Sequence, residues 1–305
     1  MWSDTPALAG ALPADWVQTD QSRSGKAIAL ACEVDGHVHF WRLSRGDYDW
    51  ITPKLGPLFT DFEPSDLEPE LAACGIDQVI AVQAAPSMDE TRHLLSLSDS
   101  YKFIAAVVGW AQLESRGAAI NIATLARNPK LKGIRAMYQQ SRIHGWLTDS
   151  KLTPAFACMR ELGLCFDALC RTENIEELAI LGHRHPDLKI VLNHAAKPDI
   201  ASGELNSWRE NMREISRLEN VFCKVSGLAT QASVATAVEE LEPIIAHLYM
   251  CFGEDRLIWG SDWPVIKSRL EYCDWHAMSQ VLFEKFPTAT QDRIFGSNAG
   301  KVYGL

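Results

Sequence analysis

Short runs of apolar and β-branched residues recur along the chain, separated by longer stretches in which apolar positions return every three or four residues. The runs are AIALACEVDGHVHF (27–40), IDQVIAVQ (76–83), KFIAAVVGW (102–110), LKGIRAMY (131–138), GLCFDALC (163–170), LKIVLNH (188–194), VFCKVSG (221–227) and RLIWGSD (256–262). Runs of this length bounded by turn residues read as buried strands, and the stretches between them as amphipathic helices. Helix punctuation is legible in SDLEPELAACG ending at Gly75, in a Ser87-x-x-Glu90 capping box, and in a segment opened by Pro154 and stopped at Gly163. From His37 to Asp262 the repeat averages about 32 residues, close to the roughly 30 that one βαβ unit needs. The pattern predicts an α/β fold, a single-domain (β/α)8 TIM barrel over 29–305, preceded by an N-terminal arm over 1–28 that is polar and aperiodic. The alternative, an open doubly wound sheet, would carry a Gly-rich strand-to-helix turn, and no G-x-G-x-x-G follows any of the runs.

Composition agrees with one large core: 47% of the 305 residues are hydrophobic and 22% charged, within the size range of one α/β barrel. A net charge of −10 gives no attraction to phosphate backbones or anionic lipid, which argues against nucleic-acid and membrane partners. The longest nearly pure apolar run, 103–111, is far short of the roughly 20 residues that span a bilayer. The first residues, MWSDTPALAGALPADW, lack a basic n-region and are broken by prolines, so a cytoplasmic location is expected. Eight cysteines occur without a C-x-x-C pair and are expected to be reduced, buried core residues. The ten tryptophans suit either a pocket or the interface of a homo-oligomer.

Strands of a parallel barrel are buried on both faces, so ionisable residues inside the apolar runs are costly unless they ligate, hydrogen-bond or catalyse. In DGHVHFW the period-two pleat is expected to send Asp35, His37 and His39 to one face. His194 ends the sixth run and Asp262 the eighth, where barrel enzymes place catalytic groups. Arg135 and Tyr138 close the fourth run, and the planar fork of Arg135 suits a carboxylate or carbonyl oxygen. Lys197 and Trp263 fall in strand-to-helix loops, where substrate contacts concentrate. The histidines at 93, 144, 183, 185, 247 and 276 lie in helical or loop stretches and are expected to be solvated or to cap helices.

Taken together, DGHVHFWRL with a following YDW, LKGIRAMYQ, LGLCFDAL, LNHAAKPD, CKVSGL, RLIWGSDWPV and a closing NAGKVYGL resemble the amidohydrolase superfamily, in its sugar-lactonase-like branch. The resemblance runs from about residue 33 to the end of the sequence. It implies a hydrolase that opens a small lactone, sugar or dicarboxylate, with His37, His39, His194 and Asp262 in the active site and Arg135, Lys197 and Trp263 along the substrate pocket. Many superfamily metallohydrolases add a bridging lysine or glutamate on the fourth strand and a histidine on the fifth. This chain offers Met137 and the segment from Asp167 to Leu169 there, which argues against a two-metal site.

Three histidines and an aspartate are a competent set for one Zn²⁺ with an open position for water, so the cofactor expectation is either none or one divalent metal. The expected reaction has Asp262 activating water while the histidines polarise the carbonyl. Two other readings remain open: a Zn-dependent decarboxylase of an aromatic or unsaturated acid, and a catalytically silent barrel used for binding or assembly.

Overall fold

The eight predicted strands all form, each shorter than the run that encodes it. The structure is a computed structural model and describes residues 32–136, 145–233 and 237–305. The expected N-terminal arm, Met137, Tyr138 and His144 lie outside the described residues. Strands β1 (Val34–Val38), β2 (Gln78–Val82), β3 (Ile104–Gly109), β4 (Leu131–Ala136), β5 (Cys165–Ala168), β6 (Ile190–Leu192), β7 (Val221–Val225) and β8 (Leu257–Trp259) are parallel and pair in sequence order. The ring closes between its ends: His39 N donates to Trp263 O at 2.7 Å and Asp262 N to His37 O at 2.9 Å.

Helices α1 (Pro64–Cys74), α2 (Met88–Ser100), α3 (Ala118–Leu125), α4 (Thr153–Glu161), α5 (Ile175–Arg184), α6 (Asn206–Ile215), α7 (Val238–Phe252) and α8 (Tyr272–Phe283) follow the strands in turn. Gly75 and Gly163 take the left-handed conformation that ends α1 and α4, as their sequence positions predict. The expected capping box of α2 is only half made. Ser87 Oγ accepts from Glu90 N, but the Glu90 carboxylate turns inward to accept from Ala84 N and from Tyr48 OH, because a buried hydroxyl is a better partner than the helix start.

Alternation along the strands sorts the core into two bodies. Outward-facing residues pack with the helices in the larger cluster. Inward-facing Val34, Ile80, Ala106, Cys165, Val191, Phe222 and Ile258 pack with one another and with Ala299, Val302 and Tyr303. These last three belong to α10 (Asn298–Tyr303), reached through the short α9 (Thr288–Asp292) and a π-helical turn, Arg293–Ser297. The C-terminal helix therefore plugs the end of the barrel where the strands begin. At about 1.5–3 kcal/mol for each large apolar side chain, this plug anchors the floor on which the site stands.

The cysteine expectation needs correction. Cys74 at the end of α1 and Cys273 in α8 form a disulfide, with Cα atoms 6.0 Å apart, and Cys32 is exposed. Ring closure makes α1 and α8 neighbours, a proximity that cysteine spacing does not reveal. Cys165, Cys170 and Cys223 are buried thiols, as expected. Two histidines expected to be solvated are instead core residues: His247 Nε2 meets Arg209 O at 3.1 Å and His276 Nε2 meets Glu33 Oε2 at 3.2 Å. No helix among the described residues is long and apolar enough to cross a membrane.

Candidate active site

His37, His39, His194 and Asp262 meet at the end of the barrel where the strands finish. Asp262 Oδ1 lies 3.3 Å from His39 Nε2, 3.7 Å from His37 Nε2 and 3.8 Å from His194 Nε2, and all four residues are buried. Asp35 does not join them, contrary to the pleat argument. The β1–β2 register shifts between Asp35 and Val38, so the strict alternation breaks just before the histidines. The Asp35 carboxylate accepts instead from His37 N, Ser261 N and the Tyr272 hydroxyl of α8. Burial pushes its carboxyl up to about 6.

Local backbone conformation aims the other two members. His194, Ala195, Ala196 and Lys197 all have positive φ, as does Asp262. Such a conformation costs a non-glycine residue about 1–3 kcal/mol and persists only where surroundings enforce it. Here the His194 ring is held by Ser226 Oγ, 2.9 Å from Nδ1, and Gly227 leaves room for it. A Cβ on Gly227 would stand 2.7 Å from His194 Nδ1 and 3.2 Å from Asp262 Oδ2.

Burial keeps the imidazoles neutral. It drives His37 well below the usual range, with help from the nearby Lys224 ammonium. It also lowers His39, against the pull of Asp262, and takes His194 down to about 3. Burial opposes charge on Asp262 as well, but the neighbouring His194 and His39 with Lys197 outweigh it and hold this carboxyl below the ordinary range. The site is thus a carboxylate ringed by neutral rings. His39 Nδ1 lies 2.7 Å from Val82 O, so its proton is on Nδ1 and its Nε2 lone pair faces the site.

Arg135, expected along the substrate pocket, is buried at the same level. Its Nη2 donates to Gln83 O, its Nη1 is 3.4 Å from His37 Nε2, and burial lowers the guanidinium to about 10. Among the described residues, Arg135 Nε and Asp262 Oδ1 are buried without a hydrogen-bond partner. Lys197 is half-buried at the rim, its ammonium lowered by burial and drawn upward by Asp262. Trp263 is fully buried between Phe40 and Phe62, with ring centroids 5.8 and 5.4 Å away, and its carbonyl closes the barrel onto His39.

Sequence reasoning passed over a second group directly beneath. Lys224 of β7 is fully buried, with Nζ 2.7 Å from Asp167 Oδ2 of β5 and 3.4 Å from His37 Nδ1. Asp167 also accepts from Tyr303 OH of α10 and from Asn193 Nδ2. A lysine inside VFCKVSG breaks an apolar strand just as the histidines do, and the same burial argument would have singled it out.

The donor set fits one divalent cation. His37, His39 and Asp262 each offer a ligand atom, all within 4.8 Å of one another, the rings are neutral as ligands must be, and Asp262 Oδ1 has no hydrogen-bond partner among the described residues. Neither β4 nor β5 adds an imidazole, in line with the expectation of a single ion at most.

Comparison with known proteins agrees with this geometry. The amidohydrolase family model matches residues 34–305. The chain is 41% identical over 283 residues to an L-fucono-1,5-lactonase of Burkholderia ambifaria, covering 90% of this chain and 97% of that one. A crystal structure of an amidohydrolase from Burkholderia multivorans with bound zinc superposes with a TM-score of 0.86 at 32% identity, over 90% of this chain and all of the other. The 5-carboxyvanillate decarboxylase of Sphingomonas paucimobilis shares the fold, with a TM-score of 0.63 at 15% identity over 90% of this chain and 99% of that one. With its ordered eight-stranded ring and its His37–His39–His194–Asp262 cluster, this chain belongs to the amidohydrolase family.

Proposed function

We propose that the chain hydrolyses the ring ester of a small sugar lactone, with Asp262 as the base that activates water. The observation that carries this reading is the ionised, unpartnered Asp262 Oδ1 among three neutral imidazoles. The 41% identity to a fucono-lactonase supports the substrate class, and a hydroxylated ring suits a site with Lys197 at its rim and Arg135 buried beside His37. The enzyme acts on a small molecule, and a cytoplasmic location belongs to the same proposal.

In this mechanism Asp262 accepts a proton as water oxygen bonds to the lactone carbonyl carbon. The carbonyl oxygen gains negative charge, which Arg135 and the histidine edge stabilise; such donors are worth about 10²–10³ in rate. The ring C–O bond then breaks, and Asp262 returns its proton to the departing alkoxide, leaving an open-chain hydroxy acid. Lys197, half-buried at the rim, orients the ring. If a zinc ion is bound, His37, His39, His194 and Asp262 hold it, and it would supply Lewis acidity toward the carbonyl and a more acidic water. The ester of a lactone is already reactive, so the barrier to be lowered is smaller than for an amide.

The test is a panel of sugar 1,5- and 1,4-lactones and dicarboxylate lactones, assayed with and without a strong chelator. Hydrolysis of a sugar lactone is expected. Activity confined to decarboxylation of an aromatic acid would replace this reading.

A further inference from the structure

The buried Lys224 has no part in the scheme above, and its surroundings assign it one. Burying an ammonium costs several kcal/mol, and the inward position one step lower on β7 holds the apolar Phe222. Within the described residues Lys224 Nζ faces only Asp167 Oδ2, His37 Nδ1 and the ring of Tyr303, whose centroid is 5.2 Å away. Asp167 is itself fixed by the Tyr303 hydroxyl and Asn193, so the ammonium cannot drift from the imidazole.

We propose that Lys224 is a positioning residue that sets the tautomer of His37, donating to Nδ1 so that the His37 proton sits on Nε2 and faces the reacting carbonyl. An ammonium has only donors, so the ring nitrogen beside it must accept. His37 Nε2 also meets a donor, Arg135 Nη1 at 3.4 Å, but unlike Nδ1 it faces acceptors as well, His39 Nε2 at 3.2 Å and Asp262 Oδ1 at 3.7 Å, so the proton lies on Nε2. His39 in turn carries its own proton on Nδ1 toward Val82 O, so its Nε2 lone pair is free to accept. The three contacts form one consistent chain, Lys224 to His37 to His39 to Val82, with each proton placed once. When a lactone enters, His37 Nε2–H and Arg135 Nη1–H, 3.4 Å apart, are two donors that a single carbonyl oxygen can bridge. The same ordering opposes metal loading, because a metal on His37 Nε2 requires the lone pair there and the proton on the Lys224 side.

This inference rests on the lactonase reading only for its kinetic consequence; its two direct readouts do not need turnover. The first is the nitrogen-15 spectrum of the histidine rings in the metal-free parent protein. His37 is expected with an unprotonated Nδ1 and a protonated Nε2, and the opposite tautomer overturns the proposal even if no variant folds. The second is Lys224→Met. Its His37 proton is expected to move to Nδ1, and, with a buried positive charge gone and the Nε2 lone pair free, its zinc affinity, measured by competition with a chromophoric chelator, to rise about tenfold or more. On the lactone that the parent hydrolyses, kcat is expected to fall about 10–100-fold with a smaller change in KM. A variant with the parent tautomer and zinc affinity refutes the role. A silent lactone panel with both readouts as expected would instead fault the substrate assignment.

Discussion

The interior of this barrel is two different materials stacked on the same strands. In the lower layer the inward positions are Val34, Cys165, Val191, Phe222 and Ile258, packed on the C-terminal helix. Two residues further along, β5 and β7 present Asp167 and Lys224, the turn that follows β6 presents Asn193, and β1, after its register shift, presents His37. Each layer obeys the same alternation and is equally dry, yet one is held by apolar contact and the other by paired charge. The difference teaches where each kind of energy is used. Apolar packing fixes the ring, and the ionisable layer, which alone would oppose folding, is carried by that ring and kept in reach of a substrate.

The sharpest way to separate the layers is to change one residue in each. Asp262→Asn keeps shape and removes the carboxylate proposed as the base, so kcat is expected to fall about 10²–10⁴-fold with the thermal midpoint little changed. Near-parent kcat would remove Asp262 from its role. Phe222→Ala, in the apolar layer, should do the reverse. It should lose about 3–5 kcal/mol of stability in denaturant unfolding, while the folded fraction keeps the parent kcat. A large loss of kcat per folded molecule would mean that the layers are coupled.

A smaller effect is expected where the layers meet the rim. Gly227→Ala puts a methyl group against His194 and Asp262 at a φ of +62°. It should cost about 1–3 kcal/mol in stability and lower kcat more than it raises KM. A variant with parent kinetics would show that His194 has room to move.

The smallest and most gradual signal is in pH. The folded-state pKa values of His37, His39 and His194 lie below the usual imidazole value, so the unfolded chain binds more protons as pH drops. Their contribution is complete above the unfolded value of about 6.5 and is lost as pH falls below it. Between about pH 6.5 and 5.5 His194, lowered to about 3, should by itself withdraw about 1 kcal/mol, and the thermal midpoint should drop. Asp35, raised to about 6, runs the other way and blunts the slope, because its contribution is lost as pH rises through that value. His194→Gln should flatten the decline, and an unchanged slope would mean that the ring is not buried neutral.

Much of this could be read from the chain. The eight apolar runs foretold eight strands because a strand buried on both faces has to be apolar along its length. His37, His39, His194 and Asp262 stood out because they interrupt those runs, and all four converge. Asp35 misled, since a one-residue register shift in β1 reverses the face and leaves no mark in composition. Lys224 carried the same anomaly as the histidines, but its meaning depends on Asp167 and Tyr303, which are remote from it in sequence. The Cys74–Cys273 bridge and the burial of His247 and His276 likewise follow from which helices become neighbours.

By itself, then, the sequence determined the repeat, the ring and the residues that could do chemistry, because periodicity and burial cost act locally along the chain. Only the tertiary structure decided which of those residues share one point in space, which tautomers their neighbours impose and how each carboxylate is charged. Those properties depend on distances of 3–4 Å between strands, and such distances exist only after the barrel has closed.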